Sequence, residues 1–271
     1  MGRDIDRWRV PPGKKVELAE GDAASTAGAP GDRLQTEEAI LPLHDELSAL
    51  QDRLWAESKR SLLVVLQGLD ASGKDGTVGH VFRGVNPQGT TVVSFKEPTA
   101  QEQAHDFLWR VHQRVPAAGE IGVFNRSHYE DVLVPRVHHL VPDSVWRARY
   151  GLINAFEQTL AEGGTTTVKF FLHVSFKEQG ERLRSRLDEP DKRWKARAGD
   201  FVERTFWDSY QAAYRDILEE TSTATAPWFV IPADHKWYRN WAVSQVLLHC
   251  LEEMDPRYPD PPPIDPSVTK V

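Results

Sequence analysis

Residues 63–77 read LVVLQGLDASGKDGT. A run of apolar, β-forming residues breaks at Gly68 into a glycine-bounded loop that ends in Lys74. The spacing from Gly68 to Gly73 and Lys74 fits G-x-x-x-x-G-K, a loop whose backbone N–H groups cradle phosphates where a strand feeds a helix. Glycine lets the main chain approach phosphate oxygens, and Lys74 adds a mobile positive charge. The position after the lysine ordinarily carries Ser or Thr for a magnesium ion; here it is Asp75. A phosphate-transfer site with altered metal chemistry and a chance glycine turn both fit these letters. The buried-type strand before the loop and the helix after it favour the first.

Outward from this loop, the chain has 271 residues, 40% of them apolar and 27% charged. That composition suits one large α/β domain, or one domain with attachments. No apolar run approaches the roughly 18 residues of a membrane span. The start, MGRDIDRWRV, carries charges and no apolar signal core, and the one cysteine, Cys250, leaves no intramolecular disulfide. A cytoplasmic protein with no membrane partner is expected. The net charge of −7 argues against nucleic acid binding over the whole surface. Any polyanion must therefore meet a local basic patch. Residues 182–197, RLRSRLDEPDKRWKAR, hold seven Lys or Arg against three acids. A solvated helix face and a polyanion channel are both open readings of that run.

Five short β-type runs follow one another at 61–67, 91–95, 120–124, 167–173 and 228–231. Helical stretches are expected at 44–60, 76–84, 99–114 and 143–162, as a long pair across 178–220, and at 236–253. Strands apolar on both faces that alternate with helices imply a parallel sheet covered on both sides, an α/β three-layer sandwich. Residues 1–35 read as an extended arm, 36–255 as the domain, and 256–271 as a proline-stiffened tail. Ligands in such sheets bind at the carboxyl ends of the strands. Those ends carry GLDASGKDG, KEPT, NRSHYED and PADHKWYRN. Asp70, inside the loop, is the nearest substitute for the missing hydroxyl, and Glu130 and Asp131 supply a second carboxylate. A turn-forming Asp and an exposed helix acid are the plain alternatives; together the acids favour a metal.

The blocks GLDASGKDG, SFKEPT, HDFLWRVHQRVP, GEIGVFNRSHYEDVL, RLDEPDKRWK and PWFVIPADHKWYRNW, in this order, resemble the polyphosphate kinase 2 family. The likeness is to its class III members, which phosphorylate both AMP and ADP, and it runs from about residue 35 to 265. The resemblance implies a P-loop kinase fold like that of thymidylate kinases, with a five-stranded parallel sheet and a helical lid at about 178–205. It implies reversible transfer of the terminal phosphoryl group of inorganic polyphosphate to AMP and ADP, giving ADP and ATP. Magnesium is the implied cofactor, with manganese as the alternative, and a homo-oligomer (dimer or tetramer) the implied assembly. The family's functional positions fall on Asp70, Lys74, Arg126, Glu130, Asp131 and Arg136, and on the lid residues Arg186, Lys192, Arg193 and Lys195. Asn125 stands where many members have Asp, and class III members share that Asn, which leaves Asp70 and Asp131 as the implied metal ligands.

The basic run then reads as a lid. Arg182 and Arg186 share a helix face, Pro190 breaks that helix, and Lys192, Arg193 and Lys195 follow from a loop. Asp200 and Glu203 resemble a capping box, and Trp207, Tyr210, Tyr214 and Ile217 form a packing stripe. Gly68, Ala71, Ser72, Gly73, Asp75 and Gly76 are the expected phosphate contacts of the loop. Lys96 is placed at the acceptor phosphates, Asn125 on the nucleotide side, and Phe107 or Trp109 at the base. Asp234, Lys236 and Arg239 either flank the loop or form a surface ion-pair cluster. The histidines show no H-x-x-x-H spacing, so no zinc site is expected. An ATP-dependent nucleoside monophosphate kinase and a non-catalytic nucleotide-binding protein are the rival functions.

Overall fold

The computed structural model describes residues 4–261. Its centre is a parallel sheet of β1 (Ser61–Gln67), β2 (Thr90–Ser94), β3 (Ile121–Asn125), β4 (Thr165–His173) and β5 (Trp228–Pro232), in the order β2-β3-β1-β4-β5. Val64 in β1 sits opposite Val123 of β3 and Val168 of β4. Side chains alternate across a strand, so β1 serves two cores at once. Leu62, Val64 and Leu66 face one side, where α1 (Arg33–Glu57), α2 (Lys74–Val81) and α10 (Lys236–Met254) cover the sheet. Leu63 and Val65 face the other, under α5 (Glu130–Val137), α6 (Asp143–Glu162) and α9 (Trp207–Thr221). This is the α/β sandwich expected from the strand pattern. β2 departs from that pattern: it is an edge strand, and Val92 is half-exposed.

The stretch 99–114 does not form the continuous helix its sequence predicts. It breaks into α3 (Ala100–Gln103) and α4 (Trp109–His112). A Thr99–Glu102 capping box starts the first turn, and Asp106 Oδ1 then accepts from the Leu108 N–H at 3.0 Å. That local bond offers the backbone an alternative to helix. The basic run gives α7 (Phe176–Asp188), a 3-10 turn at Pro190–Lys195 and α8 (Ala198–Glu203). The break at Pro190 is as expected, but Asp200 and Glu203 form no capping box: α8 begins at Arg197 without a side-chain cap.

The N-terminal arm is extended and docked. Val10 N–H donates to Trp228 O and Val230 N–H to Trp8 O, an antiparallel bridge along the free edge of β5. Ile5, Trp8, Val10 and Ala23 are buried. Of the proline-rich tail expected at 256–271, Pro256 is buried, and 262–271 lie outside the described residues.

Candidate active site

The carboxyl end of β1 runs straight into the glycine loop, and α2 starts at Lys74. Gly68 has φ +151°, and a Cβ there would lie 2.9 Å from Leu172 O. Gly73, at φ +105°, leaves room for the Arg239 guanidinium, which a Cβ would strike. Ala71 takes the left-handed conformation at φ 61°. The first N–H groups of α2 have no partner within the helix, which makes the loop an anion nest. The Ser72 hydroxyl is buried and turned toward Gly68, its N–H donates to Leu69 O at 3.1 Å, and the residue borders none of the cavities around the loop.

Lys74 donates from Nζ to Gly68 O at 2.6 Å and Leu69 O at 3.2 Å. Burial, and next the Arg126 charge, push its pKa down to about 8 against the pull of Asp70, Glu130 and Asp75. Arg126, at φ 62°, reaches Asp70 Oδ1 at 2.5 Å and Glu130 Oε2 at 3.7 Å. Burial raises the Glu130 carboxyl, with Arg126 and Lys74 opposing. Asn125 Nδ2 donates to Asp75 Oδ1 at 2.6 Å, joining β3 to the first turn of α2.

Two cavities meet at Asp70. One, of about 230 Å³, runs from the glycine loop past Arg182, Arg186, Lys192, Lys195 and Lys236. The other, of about 550 Å³, is bounded by Lys96, Asn125, Arg126, Trp194 and Arg197. Lys195 and Arg186 border both. A third, of about 260 Å³, lies behind Asp70 and Glu130, against Tyr210 and Tyr214. A cationic trough beside the glycine loop, opening at an acidic residue into a wider chamber, can seat one phosphate chain against a second phosphorylated molecule.

The sequence profile described as Polyphosphate kinase 2 matches residues 32–259. The chain belongs to that family. It is 53% identical over 257 residues to an AMP/ADP-polyphosphate phosphotransferase of Meiothermus ruber, covering 95% of this chain and 96% of that one. It is 46% identical over 231 residues to an ADP-polyphosphate phosphotransferase of Rhodopseudomonas palustris, covering 81% and 80%. The crystal structure of polyphosphate kinase 2 from Arthrobacter aurescens TC1 superposes with a TM-score of 0.92 at 43% identity, over 97% of this chain and 93% of that one.

As a polyphosphate kinase 2, the chain gathers most of its expected site residues and disperses the others. Asp70, Lys74, Arg126 and Glu130 converge; Gly68, Ala71, Gly73, Asp75 and Gly76 frame the cavities, and Lys96 and Asn125 share the wider one. Asp131 goes elsewhere: its Oδ2 accepts from Arg110 at 3.2 Å, and it borders none of these cavities. Arg136 pairs with Asp216 at 2.7 Å and lies over the Trp146 ring, tying α5 to α6 and α9. Phe107 packs on the core beneath Arg149 and does not line the chamber that Lys96 and Asn125 share. Arg193 braces the end of α7 through Leu187 O at 3.0 Å. Lys192 pairs with Glu189 at 2.6 Å and Arg186 with Asp200 at 2.7 Å.

Arg182 has a different task from the one its charge implied. Its guanidinium donates to the carbonyls of Ala71, Ser72, Ala233 and Asp234, and its Nε to Glu178. It clamps the glycine loop to the end of β5. The sequence left Arg239 open between the loop and a surface cluster, yet it is 2% exposed with no carboxylate of the described residues against it, and its pKa falls to about 9 by burial and the Arg182 charge. A buried guanidinium beside a glycine loop adds to the positive field there. The tyrosines of α9 were read as packing and also wall a chamber, and Trp194, 77% exposed on the lid turn and unremarked in the sequence, walls another.

Proposed function

We propose that this chain transfers the terminal phosphoryl group of inorganic polyphosphate to AMP and to ADP, giving ADP and ATP reversibly. One observation carries the reading: the cations Lys74, Arg186, Lys192, Lys195 and Lys236 line one trough that begins at the glycine loop. Polyphosphate carries about one charge per phosphate, so a seat for it needs cations in series. The terminal phosphates rest on the loop, and the nucleotide enters the chamber of Lys96 and Asn125.

The acceptor oxygen of AMP or ADP is already anionic, so no general base is needed. Lys74 and Arg126 turn from carbonyls and carboxylates to the transferred group, where they balance charge that spreads over its oxygens. The lid cations close the trough and exclude water, which would otherwise compete as acceptor. Bound magnesium would supply charge neutralisation to the phosphates at this site. The residues present fit it. Asp70 and Glu130 offer oxygen ligands on one cavity wall once Arg126 turns to the phosphates, while Asp131, held by Arg110, borders none of the three cavities. Among the described residues no three His, Cys, Asp or Glu side chains form a preformed metal centre. Magnesium that takes one or two carboxylates and completes its shell with phosphate and water needs no such centre. A cytoplasmic homo-oligomer is the assembly this reading expects, which cell fractionation and light scattering test.

The deciding assay supplies AMP with either polyphosphate or ATP as donor. Polyphosphate should support turnover at least about tenfold more efficiently. Equal or better use of ATP would return the chain to the ordinary nucleoside monophosphate kinases.

A further inference from the structure

Away from every cavity described above, β4 buries a complete lysine. Lys169 is fully buried, and Nζ donates to Glu157 Oε2 at 2.5 Å, Tyr129 OH at 2.9 Å and Thr221 O at 2.7 Å. All three ammonium protons are used. Glu157, from α6, is equally buried; its Oε1 accepts from Tyr129 OH at 2.8 Å and lies 3.3 Å from His128 Nε2. Burial alone would raise the Glu157 carboxyl, but Lys169 and His128 together hold it below the ordinary value. Trp228 closes the cluster, its ring 4.8 Å from that of Tyr129.

An ion pair in the core is a poor device for stability, because two apolar side chains of the same volume usually serve as well. Its position gives it another use. His128 and Tyr129 lie between Arg126 and Glu130 in the chain, and their side chains end on Glu157. Arg126 and Glu130 end on the cavity side, against Asp70 and each other. Arg126 also holds a left-handed backbone, which a non-glycine residue keeps only where its surroundings over-determine it. On one side its N–H donates to Leu66 O at 3.0 Å; on the other, Ser127 Oγ contacts the Gln67 amide at 3.1 Å. The grip on 128 and 129 completes that restraint.

We propose that Lys169 and Glu157 are positioning residues for phosphoryl transfer: the buried pair fixes His128 and Tyr129 and thereby aims Arg126 at the reacting phosphates. The pair touches no substrate. It acts through the turn 126–130, and the claim rests on the catalytic use of Arg126.

The test is a double-mutant cycle in the full-length enzyme with polyphosphate and ADP. Lys169→Met should lower kcat about tenfold or more with KM for ADP changed less than about twofold. In an Arg126→Ala background the same substitution should lower kcat less than about twofold further, because the residue through which it acts is gone. Losses that multiply in the double variant would overturn the proposal. If Lys169→Met does not fold, Lys169→Met/Glu157→Leu removes both charges and keeps the core apolar. That pair should recover the thermal midpoint while kcat stays low; wild-type kcat in it would also overturn the proposal. An Arg126→Ala variant with normal turnover would instead defeat the catalytic role of Arg126, a separate result.

Discussion

At the scale of the residue, Lys74 carries the pH dependence of the site, because its Nζ is buried against Gly68 O at 2.6 Å. With its pKa near 8, free enzyme loses that cation as pH rises through about 8. A phosphate bound beside it favours the charged form, so the kcat profile breaks at a higher pH than kcat/KM. The expected outcome is a decline of kcat/KM for polyphosphate above pH about 8, absent in Lys74→Met, whose overall rate should be at least about a hundredfold lower. A pH profile identical in the two enzymes would refute the assignment. Chemical type was legible in the sequence and partner was not, as Arg182 and Arg136 show. Arg182 was read as a phosphate ligand from charge and place and Arg136 from the family resemblance, yet four carbonyls hold one while an aspartate and an indole hold the other. Those partners are from 51 to 111 residues away along the chain for Arg182, and no local pattern announces them. Arg182→Ala should therefore lower stability by about 2–4 kcal/mol, because carbonyls lose charged donors, with a thermal midpoint down about 5–10 °C. Loss of activity with an unchanged midpoint would mean that it binds phosphate after all.

At the scale of the element, strands were more legible than helices. β1, β3, β4 and β5 are buried on both faces, so continuous apolar runs marked them to within a residue or two. The failures have local causes: an Asp106 turn divides 99–114, and α5, eight residues with Pro135 inside it, is too short to show a helical period. The lid was legible as an element and mixed in its residues, and this separates two variants. Lys192 and Lys195 border the phosphate trough, whereas Arg193 braces Leu187 O outside it. Lys192→Ala/Lys195→Ala should raise KM for polyphosphate about tenfold at low salt, with the gap narrowing at high salt, where exposed charges are screened. It should also divert more polyphosphate to hydrolysis, since an open trough admits water. Arg193→Ala should change KM less than about twofold. Steady-state rates at two ionic strengths decide this, and equal effects from the two variants would sink the distinction.

At the scale of the molecule, the arm is the part that local sequence could not place. Residues 4–32 carry no period because their fit is long-range and largely main-chain. Trp8 donates from Nε1 to Tyr238 OH at 3.1 Å, and its ring packs on Trp241 at 5.6 Å, more than 200 residues on. The arm also covers the free edge of β5, which left bare would offer unpaired N–H and C=O groups to another chain. It reaches the site as well. Asp234 N–H donates to Ala23 O at 3.0 Å, Ala19 O meets His173 Nε2 at 2.9 Å, and Asp234 O is one of the carbonyls that Arg182 grips. The arm, the end of β5 and the glycine loop are thus consecutive links of one hydrogen-bonded chain. Trp8→Ala should cost about 3 kcal/mol through the cavity it leaves, lowering the thermal midpoint by roughly 6–12 °C. It should leave kcat near normal at 25 °C, because the main-chain bridge to β5 survives. Removal of residues 1–31 breaks the bridge, exposes the edge and leaves the Asp234 N–H without Ala23 O. That variant should both aggregate on heating and lose kcat/KM for polyphosphate by at least about fivefold. A truncated enzyme that stays monodisperse and fully active would mean that the arm is a passive cover.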